Sequence, residues 1–315
     1  MRILVVCFIL FPGALHAQAL QKAKVLYEKG QPAEAAKLLE MVDEEGSGYA
    51  EAQYYLGRIA FDKKEYDDAS DYFEEATAAD DKNANYFEWL GNTYGLLARD
   101  ANVVRQGFLA PKMKEAWEKA VALDAKNIGA RLSLIEFYVQ APGFMGGSYD
   151  KARQTALQIM KLEPAKGHLS MGRILTSERN INEAEKEYQQ AVKLNADYIY
   201  VLTDFYVNEK QYEKALAIYE EQARKDPANM ITIYRFGRLS AISGLRLDTG
   251  EKYLKQYLTY TPKTNEPSHA GAYMRMGMIA EKRGGKPEAK KLYETALRLD
   301  KTMKEAEEGL VRVSK

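Results

Sequence analysis

The chain repeats itself at a spacing of about 34 residues, and this period constrains it more than any single motif. Each unit opens with a large apolar residue beside a small one: Leu56-Gly57, Leu90-Gly91, Met171-Gly172, Phe236-Gly237 and Met276-Gly277. Leu134-Ile135 and Leu202-Thr203 hold the same place in two further units. A second set follows at i, i+4 and i+7, as in Ala69/Phe73/Ala76, Met113/Trp117/Ala120, Ala152/Ala156/Ile159, Ala184/Tyr188/Ala191, Ala215/Tyr219/Gln222, Thr249/Tyr253/Gln256 and Ala289/Tyr293/Ala296. Both sets have helical spacing, so each unit reads as two helices joined by a short turn. A small residue on the first lets the second approach closely, and an aromatic fills the space beside it. One such hairpin leaves an apolar face uncovered, and only the next hairpin can cover it.

The pattern predicts an all-α, right-handed α-solenoid, a superhelix of about eight helical hairpins closed by a capping helix over residues 304–315. A degenerate first unit spans 20–49, with Gly30 at its turn and Ala35 and Leu39 on its second helix. Seven clear units span 50–303. Together, the Leu-Gly, Tyr, Ala, aromatic, Ala and Pro positions resemble the tetratricopeptide repeat family over nearly all of the chain. The closing proline survives only as Pro164 and Pro227. The resemblance implies a scaffold that binds other proteins along a concave groove lined by first helices.

Two adjacent units break the period. About ten extra residues fall near 95–111 and about five near 139–149, each at the turn between a unit's own helices, so both project from one edge. The second insertion carries Pro142, Phe144, Met145, Gly146 and Gly147. This edge loop reads either as a binding lip or as a cover for helix ends. The extended unit, this loop and the late Pro267-Ser268-His269-Ala270 entry resemble a group of exported bacterial tetratricopeptide proteins with no settled activity.

Residues 1–19 read as a secretory signal, with Arg2, an apolar stretch Ile3 to Phe11, and small residues offering cleavage after Ala17 or Ala19. The stretch is too short for a stable membrane anchor. Cys7, the single cysteine, lies inside it, so the mature chain is expected to hold no disulfide or thiolate metal site. These features predict a periplasmic or secreted protein without stable membrane insertion after cleavage. With 45 basic and 45 acidic side chains, the chain carries no field that would favour nucleic acid.

No catalytic constellation, metal motif or cofactor fingerprint is found, and no enzyme is predicted. Of three histidines, His168 and His269 lie in different repeats and His16 in the signal. The candidate site is instead the groove. The residue after each Leu-Gly mark gives Arg58, Asn92, Arg173 and Arg238; Tyr54, Tyr55, Trp89, Tyr200, Tyr234, Arg235 and Arg275 lie near that row. Arginine among tyrosines suits a protein or extended peptide bearing carboxylates, because guanidinium holds carboxylate bidentately. The competing reading pairs these arginines with acids on neighbouring hairpins. Glu88, Glu136 and Asp204 interrupt the row. A second functional class, a glycan- or small-molecule-binding module, would use Trp89, Tyr54, Tyr55 and the 141–148 loop, and a closed pocket beside that loop would favour it. Self-association through terminal apolar faces stays open.

Overall fold

A computed structural model describes residues 12–315, with side chains from His16 onward. The apolar core of the expected signal lies outside the described residues. The described residues form two compact units, the first ending at residue 194 and the second spanning 195–315.

In the first unit the helices are α1 (Pro12–Glu28), α2 (Pro32–Leu39), α3 (Tyr49–Asp62), α4 (Tyr66–Ala79), α5 (Ala84–Arg99), α6 (Val103–Leu123), α7 (Ile128–Gln140), α8 (Tyr149–Leu162), α9 (Pro164–Ser177) and α10 (Ile181–Leu194). The second unit holds α11 (Ile199–Asn208), α12 (Tyr212–Lys225), α13 (Met230–Ser243), α14 (Leu247–Tyr257), α15 (His269–Lys282), α16 (Lys286–Leu299) and α17 (Lys304–Ser314). The fold is all-α, a tetratricopeptide-like α-solenoid. Successive helices pair as hairpins, and first helices also touch across a step, α5 on α7 and α7 on α9 in one unit, α13 on α15 in the other.

Close approach within hairpins depends on the small residue. A Cβ on Gly57 would stand 2.7 Å from the Phe73 ring, and one on Gly91 would stand 2.6 Å from the Trp117 indole. The apolar faces so joined form continuous cores: Ala60, Phe73, Leu90 and Tyr94 in one cluster, Trp117, Leu134, Phe137 and Ile159 in the next. Fully burying each large side chain contributes about 1.5–3 kcal/mol. In α14 the buried face is Gly250, Leu254 and Tyr257 rather than the expected Thr249/Tyr253/Gln256. Leu254 meets Gly237 there, so the helix is turned by one residue from the repeat's pattern.

Five of the hairpin turns share one geometry. Gly30, Lys64, Arg179, Lys210 and Gly284 all have positive φ. In each case the next amide reaches back five residues, as Glu65 N donates to Ala60 O at 2.9 Å and Gln211 N to Tyr206 O at 2.8 Å. This left-handed cap satisfies carbonyls that the helix end would otherwise leave bare.

The first insertion departs from the loop expected. It lengthens helices: α5 runs to Arg99, α6 spans 21 residues, and only Asp100 to Asn102 turn between them. The Asn102 side chain caps α6 by accepting from Arg105 N at 3.0 Å. Gln106 Nε2 donates at 3.1 Å to the carbonyls of both Ala98 and Ala101, closing the end of α5. Arg105 pairs with Asp67, and Lys112 reaches Glu74 at 3.2 Å, tying the extension to α4.

A candidate protein-binding cavity in the first unit

The lengthened α6, the row residues of α5 and α7, and the second insertion line an open cavity of about 910 Å³. Trp89, Asn92, Trp117, Phe137, Phe144 and Met145 are among its walls. Its surface is mostly apolar, with polar groups at a few points, the composition of pockets that hold organic side chains or ligands.

Each wall has a local cause. Trp117 is buried against Gly91, and its Nε1 donates to Asn92 Oδ1 at 2.9 Å. Ser133 Oγ on α7 donates to the same oxygen at 3.3 Å. The Asn92 oxygen is thereby occupied, and its amide nitrogen has no protein partner among the described residues. Trp89 packs edge-on against Phe61, ring centres 5.0 Å apart.

The Pro142-to-Ser148 segment is held rigidly. Residues 143–145 form one 3-10 turn, with Met145 N donating to Pro142 O at 2.9 Å and Gly147 N to the same oxygen at 3.1 Å. A Cβ on Gly147 would lie 1.8 Å from Ala141 O, so no other residue fits that backbone. Met145 packs onto the core, whereas Phe144 is 91% exposed. Across the cavity mouth, α6 presents Val103 at 81% exposure; Val104 (71%) and Phe108 (73%) follow along the helix.

The remaining expected groove residues divide. Tyr54 and Tyr55 stand outside the cavity, packed in a series whose ring centres are 5.6 Å (Tyr27 to Tyr55, edge-on), 5.3 Å (Tyr55 to Tyr54, edge-on) and 5.0 Å (Tyr54 to Tyr86, tilted). Burial pushes Tyr86 up to about 12; Tyr27 also reaches about 12, from burial and from its bond to Asp62. Arg58 stacks on Trp89, 3.7 Å from the ring centre. Arg173, on α9, is exposed.

In the second unit, Arg235 lies 4.6 Å over the Tyr200 ring, and Tyr200 Oη bonds Thr232 at 2.7 Å. Arg238 is exposed. Tyr234 is only 7% exposed, packed against Tyr257 at 4.9 Å, and offers no free surface. Arg275 pairs with Glu305 of α17 at 3.1 Å, so at this position an acid on the neighbouring helix takes the guanidinium.

Sequence reasoning puts Trp89 and Asn92 on the groove and Pro142, Phe144 and Met145 on an edge loop; the structure brings them to one cavity. It misses Trp117, Val103 and Ser133 as parts of the site. The Asn102 cap ahead of Val103-Val104 is the available signal that a helix, not a loop, begins there.

Among the described residues no group of acids, histidines or cysteines is arranged to hold a metal, and no helix is long and apolar enough to cross a membrane. Comparison with known proteins agrees with the hairpin geometry. Sequence profiles described as tetratricopeptide repeat match residues 26–89, 165–198 and 270–303. The chain is a tetratricopeptide-repeat protein. A crystal structure of a tetratricopeptide repeat protein from Parabacteroides merdae ATCC 43184 aligns over 96% of this chain and 100% of that one, at 14% identity and a TM-score of 0.50. YrrB, described as a TPR protein with an unusual peptide-binding site, aligns over 61% of this chain and 90% of its own, at 19% identity and a TM-score of 0.48. TTC0263, a thermophilic TPR protein of Thermus thermophilus, aligns over 61% of this chain and 99% of its own, at 19% identity and a TM-score of 0.46. No curated protein sequence matches. Tetratricopeptide arrays are typically non-catalytic scaffolds for protein–protein interaction, and the repeats support that role for this chain.

Proposed function

We propose that this protein is an exported scaffold of the bacterial cell envelope, and that it holds a segment of another protein in the cavity formed by α5, α6, α7 and the Pro142–Met145 turn. One observation carries the reading: both departures from the repeat period converge on the same concavity. An unmodified repeat would have neither the long α6 nor the 142–145 turn. Both instead supply exposed apolar side chains, Val103 and Phe144, at its mouth. Exposed aromatic and aliphatic groups around a concavity favour burial of a partner's apolar residues.

Export rests on the N-terminal sequence. Mature protein recovered from its native cell is expected to begin at Gln18 or Leu20 in the periplasm or medium. An intact N-terminus in a cytoplasmic fraction removes this part of the proposal.

Binding is tested with a photo-crosslinking residue in place of Phe144, and a control in place of Val311 on α17, expressed in the native cell. A discrete protein adduct from position 144 but not from 311 supports the reading. Adducts equal at both positions, or none at 144, overturn it. The volume and the apolar wall also favour a second reading, a small organic or glycan ligand. Both tryptophans of the chain line the cavity, so that ligand would change tryptophan emission and leave no protein adduct.

A further inference from the structure

Arg58 differs from the ion-paired arginines of this chain in what surrounds it. Arg153, Arg246, Arg283 and Arg312 each hold at least one carboxylate. Among the described residues Arg58 forms no ion pair. Its Nη1 donates to Tyr54 Oη at 3.0 Å, and its Nε is buried with no acceptor. The carboxylate one turn further along α3, Asp62, instead accepts from Tyr27 Oη at 2.8 Å. The other nearby cation on this face, Lys24, is neutralised by Glu51 at 2.6 Å.

The guanidinium lies against aromatic rings: Trp89 at 3.7 Å, Tyr27 at 5.8 Å and Tyr54 at 5.9 Å. Such rings strip water from a cation and hold its plane, but they do not supply the acceptors its N–H groups require. A cation held in this state gains from an incoming anion without first breaking an ion pair. Trp89 also forms a wall of the cavity. The guanidinium is not itself part of the wall; it lies against a ring that is, one side chain away from the space that the partner would fill.

We infer that the occupant of the cavity is a peptide segment in which an aspartate or glutamate adjoins bulky apolar residues. The apolar side chains enter between Trp89, Trp117, Phe137 and Phe144, and the acid binds Arg58. This rests on the cavity being a protein-binding site. A single uncompensated guanidinium matches the one charge of a carboxylate; a phosphate would call for a second cation, and Lys24 is already paired.

The test selects short random peptides on the chain from a displayed library and measures the best binders by tryptophan emission. The expected binders carry Asp or Glu next to Leu, Ile, Phe or Trp. Changing that acid to its amide weakens binding about tenfold or more. Arg58→Met binds both forms with the same weakened affinity, and Arg58→Lys, which keeps the charge, recovers part of the loss. Melting curves of the two variants establish that each is folded. Binders with no acidic residue, or equal affinity of the acid and amide forms, overturn the inference while leaving the cavity as a binding site. Binders that leave tryptophan emission unchanged remove the cavity itself from the account.

Discussion

Trp117 on α6 donates its indole N–H to Asn92 on α5 at 2.9 Å, and that amide oxygen also receives the hydroxyl of Ser133 on α7. Three helices of two hairpins thus meet at one oxygen in the floor of the cavity. Trp117→Phe keeps an aromatic ring against Gly91 and removes the donor. The expected cost is about 1 kcal/mol in urea unfolding. An unchanged midpoint would show that solvent replaces the bond.

Two glycines on neighbouring helices should respond in opposite directions. Gly91→Ala drives a methyl group into the Trp117 indole and is expected to destabilise by about 1–3 kcal/mol. Gly107, in the first half of α6, has nothing within 4 Å of its would-be Cβ. Gly107→Ala should stabilise by about 0.5–1 kcal/mol, because the helix loses a flexible residue and meets no clash. Melting shifts of opposite sign are the readout, and destabilisation by both would mean that α6 packs more tightly there.

Alkaline pH should loosen the fold through its buried tyrosines. Burial pushes Tyr86 and Tyr257 up to about 12. Their folded value exceeds the ordinary one near 10, so their contribution is complete below pH 10 and is lost as pH rises through about 12. Melting temperature is expected to fall over that window, less steeply in Tyr86→Phe. Ultraviolet titration in which all 22 tyrosines ionise together near pH 10 would contradict this.

The turn residues Lys64, Arg179 and Lys210 occupy left-handed backbone, with φ of 67°, 64° and 57°. Gly30 and Gly284 hold the equivalent place in other hairpins without Cβ strain. Lys64→Gly relieves about 1–2 kcal/mol of strain and gives back about 0.5–1 through a freer unfolded chain. The net expectation is a gain of between about 0 and 1.5 kcal/mol in thermal unfolding. A loss would show that the lysine stem contributes packing that glycine lacks.

The hairpins are legible in the sequence because the paired marks are physical contacts: Gly57 on Phe73, Gly91 on Trp117, Gly172 on Tyr188 and Gly277 on Tyr293. The cavity is not legible as one place. A fixed period assigns position along a repeat, so it puts Asn92 and Glu136 in line. It says nothing about a residue outside the period, and Val103 to Pro111 lie outside it. Whether such residues form a loop or extend a helix is decided locally, by the Asn102 cap and the Gln106 amide. The groove row fails as a uniform surface for a related reason. Equivalent positions meet different neighbours: Arg58 meets Trp89, Arg275 meets Glu305, and Tyr234 is covered by Tyr257. Sequence spacing cannot tell which neighbour arrives.

Because within each unit a helix rests on those just before and after it, little chain has to be closed into loops before contacts form. A polypeptide built this way can begin ordering from whichever end is delivered first, and each new hairpin finds its docking face already made. Passage through a narrow channel in the extended state would then leave no distant segment to be awaited on the far side.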